Sequence, residues 1–416
     1  MRTLYTLLLR ALLPLALLRL WWRGRREAVY REHVEERFGR YEAEELLVAP
    51  PRLIWIHAVS VGEARAAAPL VQALKQAYPD HALLLTCMTA AGRETLKQVY
   101  GESVLRAWLP YDYPGAVQRF LEHFRPRLGV IMETEMWPNL LAACEANGVP
   151  MLLANARMSE KSARGYARWA AISRPAIRRL TRVCAQSAAD AGRLQALGAR
   201  EVEVAGNLKF DVPLDEKLVA RGREWRQRAA RPVLLLASTR EGEEKMLLEA
   251  LPSWDGKLLV VVVPRHPQRF DEVAQWAQAR RSRDDAVARD TRVYLGDTMG
   301  EMAFYFGACD VALIGGSFGR HGGQNLIEGL AAGAPVVVGP HMFNFAEATR
   351  LAVAAGAALQ GRDAEDALRL ALTLLGEAPR REAMSRAGSE LCRENRGATA
   401  RHLEACARLL ALAPHE

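Results

Sequence analysis

One stretch, Asp310 to Phe345 (DVALIGGSFGRHGGQNLIEGLAAGAPVVVGPHMFNF), constrains the fold more than any other. Val311 to Ile314 is a short apolar run that reads as a buried strand ending in Gly315-Gly316-Ser317. A second glycine pair, Gly322-Gly323, precedes Asn325-Leu326-Ile327-Glu328, which opens a small-residue helix stopping near Gly333-Ala334-Pro335. Pro335 to Val338 reads as the next strand. Strand, helix and strand in so short a span belong to a parallel sheet covered by helices. Glycines at a strand's carboxyl end let a ligand approach the backbone closely. A helix N-terminus beside them offers free N–H groups and a positive dipole end to phosphate. The glutamate one turn in suits a ribose diol. An ordinary tight turn would use similar residues, but three glycine-bearing turns in one unit favour a ligand.

The same alternation runs through the chain from Arg52. Apolar runs at Leu53–Ala58, Ala82–Cys87, Val104–Leu109, Leu128–Met132, Met151–Ala154, Val183–Ala185 and Val202–Val204 are separated mostly by helical segments. Gly206 to Asp215, GNLKFDVPLD, interrupts the pattern and reads as an interdomain linker. A second series follows at Val233–Ala237, Leu258–Val263, Val293–Leu295, Val311–Ile314 and Val336–Val338. The tail from about Ala378 to Leu412 reads as helical and basic. A length of 416 residues with 50% apolar content suits two domains, each with its own core. Six scattered cysteines, with no CxxC and no His at metal spacing, indicate reduced thiols.

Residues 1–22, MRTLYTLLLRALLPLALLRLWW, form the one membrane-like segment, followed by Arg23, Arg25 and Arg26. Residues 1–40 hold nine arginines against four glutamates, much of the formal net charge of +8. Arg10, Pro14 and Arg19 interrupt the run, and an arginine near mid-bilayer costs about 3 kcal/mol on insertion scales. An interfacial or shallow anchor fits best, with aromatics and arginines at the depth of anionic headgroups. A single-pass anchor and a helix packed on its own domain are the alternatives. A cleaved signal peptide does not fit, because no small-residue cleavage site follows.

Three polar constellations follow strands of the first series. In His57-Ala58-Val59-Ser60-Val61-Gly62-Glu63 the glutamate starts a helix at a strand's carboxyl end, where open α/β sheets build sites. Glu63 there is either a general base towards a hydroxyl or a first-turn glutamate favoured by the helix dipole. In Met132-Glu133-Thr134-Glu135-Met136-Trp137-Pro138-Asn139 two carboxylates precede a proline at a helix start. They either face the Glu63 crevice, if their strands are neighbours, or cap the Pro138 helix. In Asn155-Ala156-Arg157-Met158-Ser159, Arg157 meets an anionic acceptor or Ser159 simply caps a helix. The second series places Ser238-Thr239-Arg240-Glu241-Gly242-Glu243-Glu244, Pro264-Arg265-His266-Pro267, Gly296-Asp297-Thr298-Met299-Gly300-Glu301 and the Gly315–Glu328 loop at four strand ends. A stiffly held Arg-His pair suits a phosphate or a base edge. No GxxxxGK[ST], GxSxG or HExxH occurs, and no DxD follows a strand. A dedicated metal site therefore has little support.

HAVSVGE, METEMWPN, NARMS, GNLKFD, ASTREGEE, PRHPQRF, GDTMGEM, GGSFGRHGGQN and GPHMFNF, in this order and spacing, resemble the 3-deoxy-D-manno-octulosonic acid (Kdo) transferases of lipopolysaccharide assembly. The resemblance covers almost the whole chain. It implies a GT-B fold, two Rossmann-like domains with parallel sheets facing across a cleft. Residues 1–30 would associate with the membrane, 31–210 form the acceptor domain and 211–390 the donor domain. Residues 391–416 would be a helix crossing back to the first domain. It implies transfer of Kdo from CMP-Kdo to lipid IVA by an inverting, base-assisted displacement, at the cytoplasmic face of the inner membrane. No cofactor or metal is implied. By motif, Glu63 resembles the general base, and Glu133 and Lys209 resemble residues that stabilise the transition state. The CMP site resembles Pro264-Arg265, Met299-Gly300-Glu301 and Asn325-Leu326-Ile327-Glu328. Another GT-B enzyme using a nucleotide-diphosphate sugar is the alternative. Gln324 and Arg240 stand where the family pattern has His, and Gly329 where related enzymes often have Pro. Nucleic acid is a poor partner for these arginines, which flank an apolar run rather than a base-stacking groove.

Overall fold

The computed structural model describes residues 1–25, 27–41, 52–251 and 256–412; Arg26, counted above among the basic flank, lies outside them. The chain divides into one unit of Met1–Val212 with Arg396–Glu416 and a second of Pro213–Asn395. Each carries a seven-stranded sheet in which every recorded pairing is parallel.

The first sheet comprises β1 (Leu53–His57), β2 (Ala82–Cys87), β3 (Leu105–Trp108), β4 (Leu128–Met132), β5 (Met151–Ala156), β6 (Arg182–Ala185) and β7 (Val202–Val204), in the order β3-β2-β1-β4-β5-β6-β7. Its central strands are apolar runs because both faces are covered. On β1, Ile54 and Ile56 enter one core with Leu85, Val130 and Leu152. Leu53 and Trp55 enter the opposite core with Leu84, Ile131 and Leu153. This is the period-two alternation of a strand.

The final helix, Ala398–Leu412, completes the first of these cores through Ala398, Ala405, Cys406, Leu409 and Leu410. Two polar devices seat it. Asp211 accepts the Gly397 and Thr399 N–H groups at 2.8 and 2.5 Å. His402, driven down to about 4 by burial, donates from Nδ1 to Ala398 O at 2.7 Å and accepts the Asn155 N–H on Nε2 at 2.8 Å. The GNLKFD segment is therefore more than a linker. Its turn Leu208–Asp211 buries Leu208 and Phe210 and is built into the first unit.

The second sheet comprises β8 (Val233–Thr239), β9 (Leu259–Pro264), β10 (Ala279–Arg280), β11 (Val293–Leu295), β12 (Val311–Ile314), β13 (Val336–Val338) and β14 (Ala358–Gln360), in the order β10-β11-β9-β8-β12-β13-β14. The apolar runs read above correspond to every strand except the edge strands β10 and β14, of two and three residues. One core lies between this sheet and the helix Ala364–Gly376. In both sheets the strand order reverses between two central strands, β1/β4 and β8/β12. Open parallel sheets build ligand sites at the carboxyl ends of such strands.

Candidate active site

Glu63 lies in the first turn of the helix Val61–Ala66, directly beyond β1. The Ser60 hydroxyl accepts the Glu63 N–H at 3.3 Å and donates to Glu63 Oε1 at 3.3 Å, while Oε2 accepts the Val59 N–H at 2.6 Å. This is a reciprocal cap, so Glu63 does serve its helix. The carboxyl also faces charge: burial, then the Glu133 carboxylate and more weakly Glu135, push it up to about 7. A carboxyl with this affinity for protons is matched to general-base work near neutrality.

Glu133 directly follows β4, the neighbour of β1, with a backbone φ of 59°. A left-handed conformation costs a non-glycine residue about 1–2 kcal/mol. It is held here by the Glu133 N–H to Ala154 O bond at 2.9 Å and the Arg157 N–H to Glu133 O bond at 3.3 Å. The side chain is buried against two cations. Lys209 Nζ donates to Oε1 at 2.9 Å, and Arg157 Nη2 lies 3.6 Å from Oε2. Burial alone would raise this carboxyl, but Lys209 and Arg157 outweigh it and hold it below the usual carboxylate range. Ionised Glu133 in turn raises Glu63. Glu135 is raised by burial.

The alternative role for Glu133 and Glu135, capping the Pro138–Ala146 helix, is taken by another residue. Asp112 accepts the Asn139 and Leu140 N–H groups at 3.0 and 2.7 Å. Arg157 faces Glu133 while Ser159 caps the following helix by accepting the Ser162 N–H at 3.1 Å. The capping reading therefore describes Ser159, whereas the partner of Arg157 is a carboxylate of this chain. Nothing in the local sequence marked Asp112, because its partners lie 27 and 28 residues away.

In the second unit the ends of β11, β9, β8 and β12 stand side by side, so their four loops share one edge. Glu243 is buried beneath the glycine loop, accepting the Gly316 and Arg240 N–H groups at 2.7 and 2.9 Å and the Phe318 N–H at 3.3 Å. The loop closes through Gly323 N–H to Gly316 O at 2.7 Å and Gln324 N–H to Gly315 O at 3.1 Å. Gly323 has φ 78°, and a Cβ there would fall 2.1 Å from Met342 Sδ. Only glycine allows this closure without rearrangement.

Glu244, also buried, accepts the Thr239 hydroxyl at 2.6 Å and both Arg269 Nη groups at 2.6 and 3.0 Å. Arg265 Nε donates to Gln324 Oε1 at 3.2 Å. Arg240 Nη1 is hydrogen-bonded to His266 Nε2. Burial, then Arg240, Arg265, Arg269 and His321, hold His266 below its ordinary range. The two departures from the family pattern, Arg240 and Gln324, thus touch the same Arg265-His266 pair. At the third, a Cβ on Gly329 would fall 2.8 Å from the Phe306 ring, so glycine suits the packing here.

The remaining second-unit residues sit differently from a bare phosphate cradle. Pro264 closes β9. The helix beyond the loop, Ile327–Ala331, is only five residues long and begins after Leu326. Asn325 Oδ1 accepts its Ile327 N–H at 3.1 Å, so one helix-terminal amide is already used. Glu328 lies in the first turn. Met299 is exposed and Gly300 has φ 80°. The Glu301 carboxylate is tied to Arg281 by two 3.1 Å bonds and to the Thr298 hydroxyl at 2.6 Å, and these partners outweigh burial to hold it low.

Comparison with known proteins agrees with this architecture. Residues 32–212 match the family described as 3-Deoxy-D-manno-octulosonic-acid transferase (kdotransferase). The chain is 48% identical to the 3-deoxy-D-manno-octulosonic acid transferase of Bordetella pertussis, over 97% of this chain and 98% of that one. It is 36% identical to the enzyme of the same name from Haemophilus influenzae, over 97% of each. In fold it is similar to UDP-GlcNAc 2-epimerase from Neisseria meningitidis, with TM-score 0.58 and 16% identity over 86% of this chain and 100% of that one. It is likewise similar to HepE from Anabaena in complex with UDP, with TM-score 0.60 and 13% identity over 86% and 99%. The two parallel α/β units are those of a GT-B enzyme, and the chain, a glycosyltransferase, belongs to the 3-deoxy-D-manno-octulosonic acid transferase family.

Proposed function

We propose that the protein transfers Kdo from CMP-Kdo to lipid IVA in lipopolysaccharide core assembly, with Glu63 as general base. The observation that carries the role of Glu63 is its carboxyl, raised to about 7 beside an ionised Glu133 that Lys209 and Arg157 clamp. An acceptor hydroxyl gives its proton to Glu63 as its oxygen bonds to the anomeric carbon of Kdo. The bond from that carbon to the CMP phosphate oxygen breaks, and CMP leaves with the electron pair from the opposite face. Configuration at the anomeric carbon inverts. Lys209 and Arg157 face the negative charge that develops, and positioning supplies much of the remaining acceleration.

The donor belongs to the second unit. Arg265, the glycine loop backbone and the Asn325–Glu328 turn are its proposed contacts to phosphate and ribose, with Pro264 and Met299–Glu301 towards the base. No cofactor or metal enters the reaction. The helix Arg2–Arg23, with mean hydropathy 1.6 and only 11% of its apolar window buried, is long and apolar enough to cross a membrane. We read it instead as lying on the cytoplasmic surface of the inner membrane, because Thr6 and Leu9 are hydrogen-bonded to the first unit and Leu20 packs on it, while Leu4, Leu8, Leu12, Leu15, Leu18 and Trp22 stay exposed. Anionic lipid suits the arginines that follow.

Purified protein incubated with CMP-Kdo and lipid IVA should yield lipid IVA heavier by Kdo less water, with release of CMP, by mass spectrometry. Unchanged lipid, or equal turnover with a nucleotide-diphosphate sugar, would overturn the assignment.

A further inference from the structure

The N-terminal helix is bonded more closely to the first unit than a membrane tether needs. A tether requires an apolar face and a link to the body. This helix adds buried polar contacts on its other face. Thr6 Oγ1 and the Asn139 side chain are paired at 3.0 and 3.3 Å. The Tyr113 hydroxyl donates to Leu9 O at 2.8 Å, and the Tyr5 hydroxyl lies near the Asp112 carboxylate, whose charge adds to burial in raising it. Asn139 Nδ2 also donates to Asp112 O at 2.7 Å. At the other end Leu20 is buried with Tyr30 and Ala90.

These contacts fall on the segments just beyond β2 (Ala90, at a helix start), β3 (Asp112, Tyr113) and β4 (Asn139, in the first turn of a helix). The helix therefore runs along the carboxyl-end edge of the first sheet, the edge that carries Glu63 and Glu133. Asp112 is the junction. Its carboxylate holds the Asn139 and Leu140 N–H groups, which begin the helix immediately after the Glu133–Trp137 loop, and Asn139 Nδ2 joins Thr6 Oγ1 to Asp112 O. The loop's other end is fixed to β5 through Glu133 N–H to Ala154 O. One end of the catalytic loop is thus set by the sheet and the other by Asp112 together with the membrane-facing helix.

We propose that the helix Arg2–Arg23 is part of the active-site scaffold, and that Thr6, Tyr5 and Asp112 are positioning residues that hold the Glu133–Trp137 loop for transfer. The inference rests on the roles proposed above for Glu63 and Glu133. It separates two functions on opposite faces of one helix, lipid contact on the leucine face and loop positioning on the Tyr5–Thr6 face. Misplacement of a loop by about an ångström costs up to about a hundredfold in rate.

The test uses full-length protein in detergent micelles with dispersed lipid IVA, and co-sedimentation with anionic phospholipid vesicles. The docking-face variant Tyr5→Phe/Thr6→Val should lose about tenfold in kcat, with KM for CMP-Kdo and vesicle binding unchanged, whereas Thr6→Ser keeps wild-type kcat. The lipid-face variant Leu8→Ser/Leu12→Ser/Leu15→Ser should lose vesicle binding and keep kcat in micelles. Wild-type kcat in the docking-face variant overturns the inference, as does an equal loss in Thr6→Ser. Hydrogen exchange of the 134–137 amides gives a readout independent of the reaction: it should rise in the docking-face variant alone. Unchanged exchange there overturns the inference even if the transfer assignment fails for other reasons.

Discussion

The two units share a sheet plan but use it differently. Both reverse strand order between central strands, at β1/β4 and β8/β12. At the first reversal the candidate functional groups are side chains, with Glu63 raised by burial and by Glu133, and Glu133 held low by Lys209 and Arg157. At the second, the buried carboxylates of Glu243 and Glu244 are spent on fixing backbone and Arg269. What the loop then presents is main chain bent through glycines, with Arg240, Arg265 and His266 beside it. A proton-transfer centre needs tuned carboxyls, whereas a nucleotide site needs a shaped backbone and fixed cations. The contrast predicts that first-unit substitutions will alter turnover and second-unit substitutions will alter affinity.

The largest expected effect follows from Glu63→Gln, which keeps the acceptor for the Val59 N–H but cannot take a proton. Turnover should fall about a hundredfold to ten-thousandfold, while calorimetry finds CMP binding intact. Loss of CMP binding in this variant would erase the division of labour. The converse change is Gly323→Val. A left-handed β-branched residue costs about 1–2 kcal/mol in backbone strain, and the Met342 side-chain end must move aside for the new Cβ. CMP affinity and thermal stability should both drop; unchanged affinity would mean that the cations alone hold the donor.

A smaller effect should come from Lys209→Met, which leaves Glu133 with only the more distant Arg157. Breaking a buried pair on one side costs about 3 kcal/mol, measurable by urea unfolding at neutral pH. The sign fixes the pH dependence. Glu133 is held low in the fold, so its pairing stabilises above its unfolded value and is lost as pH falls. The stability gap between variant and wild type should therefore narrow on acidification. A gap that widens would contradict the assigned charge of Glu133.

Much of this was legible in the sequence. Continuous apolar runs marked the central strands because burial on both faces demands them, and the glycine pairs marked the loop beyond β12. Glu133, Arg157 and Lys209 each stood in a recognisable motif. Their mutual contact was not legible, since it joins residues 76 positions apart. β10 and β14 were missed because two or three residues carry no periodicity. Asp112 and His402 were missed for a related reason: each binds backbone N–H groups far away in sequence, and a lone Asp or His on a helix or loop has no local signature. The segment GNLKFD looked like a linker because its glycine and proline flanks broke the strand pattern. In the fold, Leu208, Lys209 and Asp211 each have a tertiary partner.

The most direct test of the central claim is the pH dependence of kcat/KM for Kdo transfer by the full-length enzyme. If Glu63 is the base, activity must rise with pH as the carboxyl loses its proton. The account predicts an acidic limb with its midpoint near 7. In Glu133→Gln, where the neighbouring negative charge is gone, that limb should move to lower pH. A profile flat from about pH 5 to about pH 8, or one unmoved by Glu133→Gln, would contradict it.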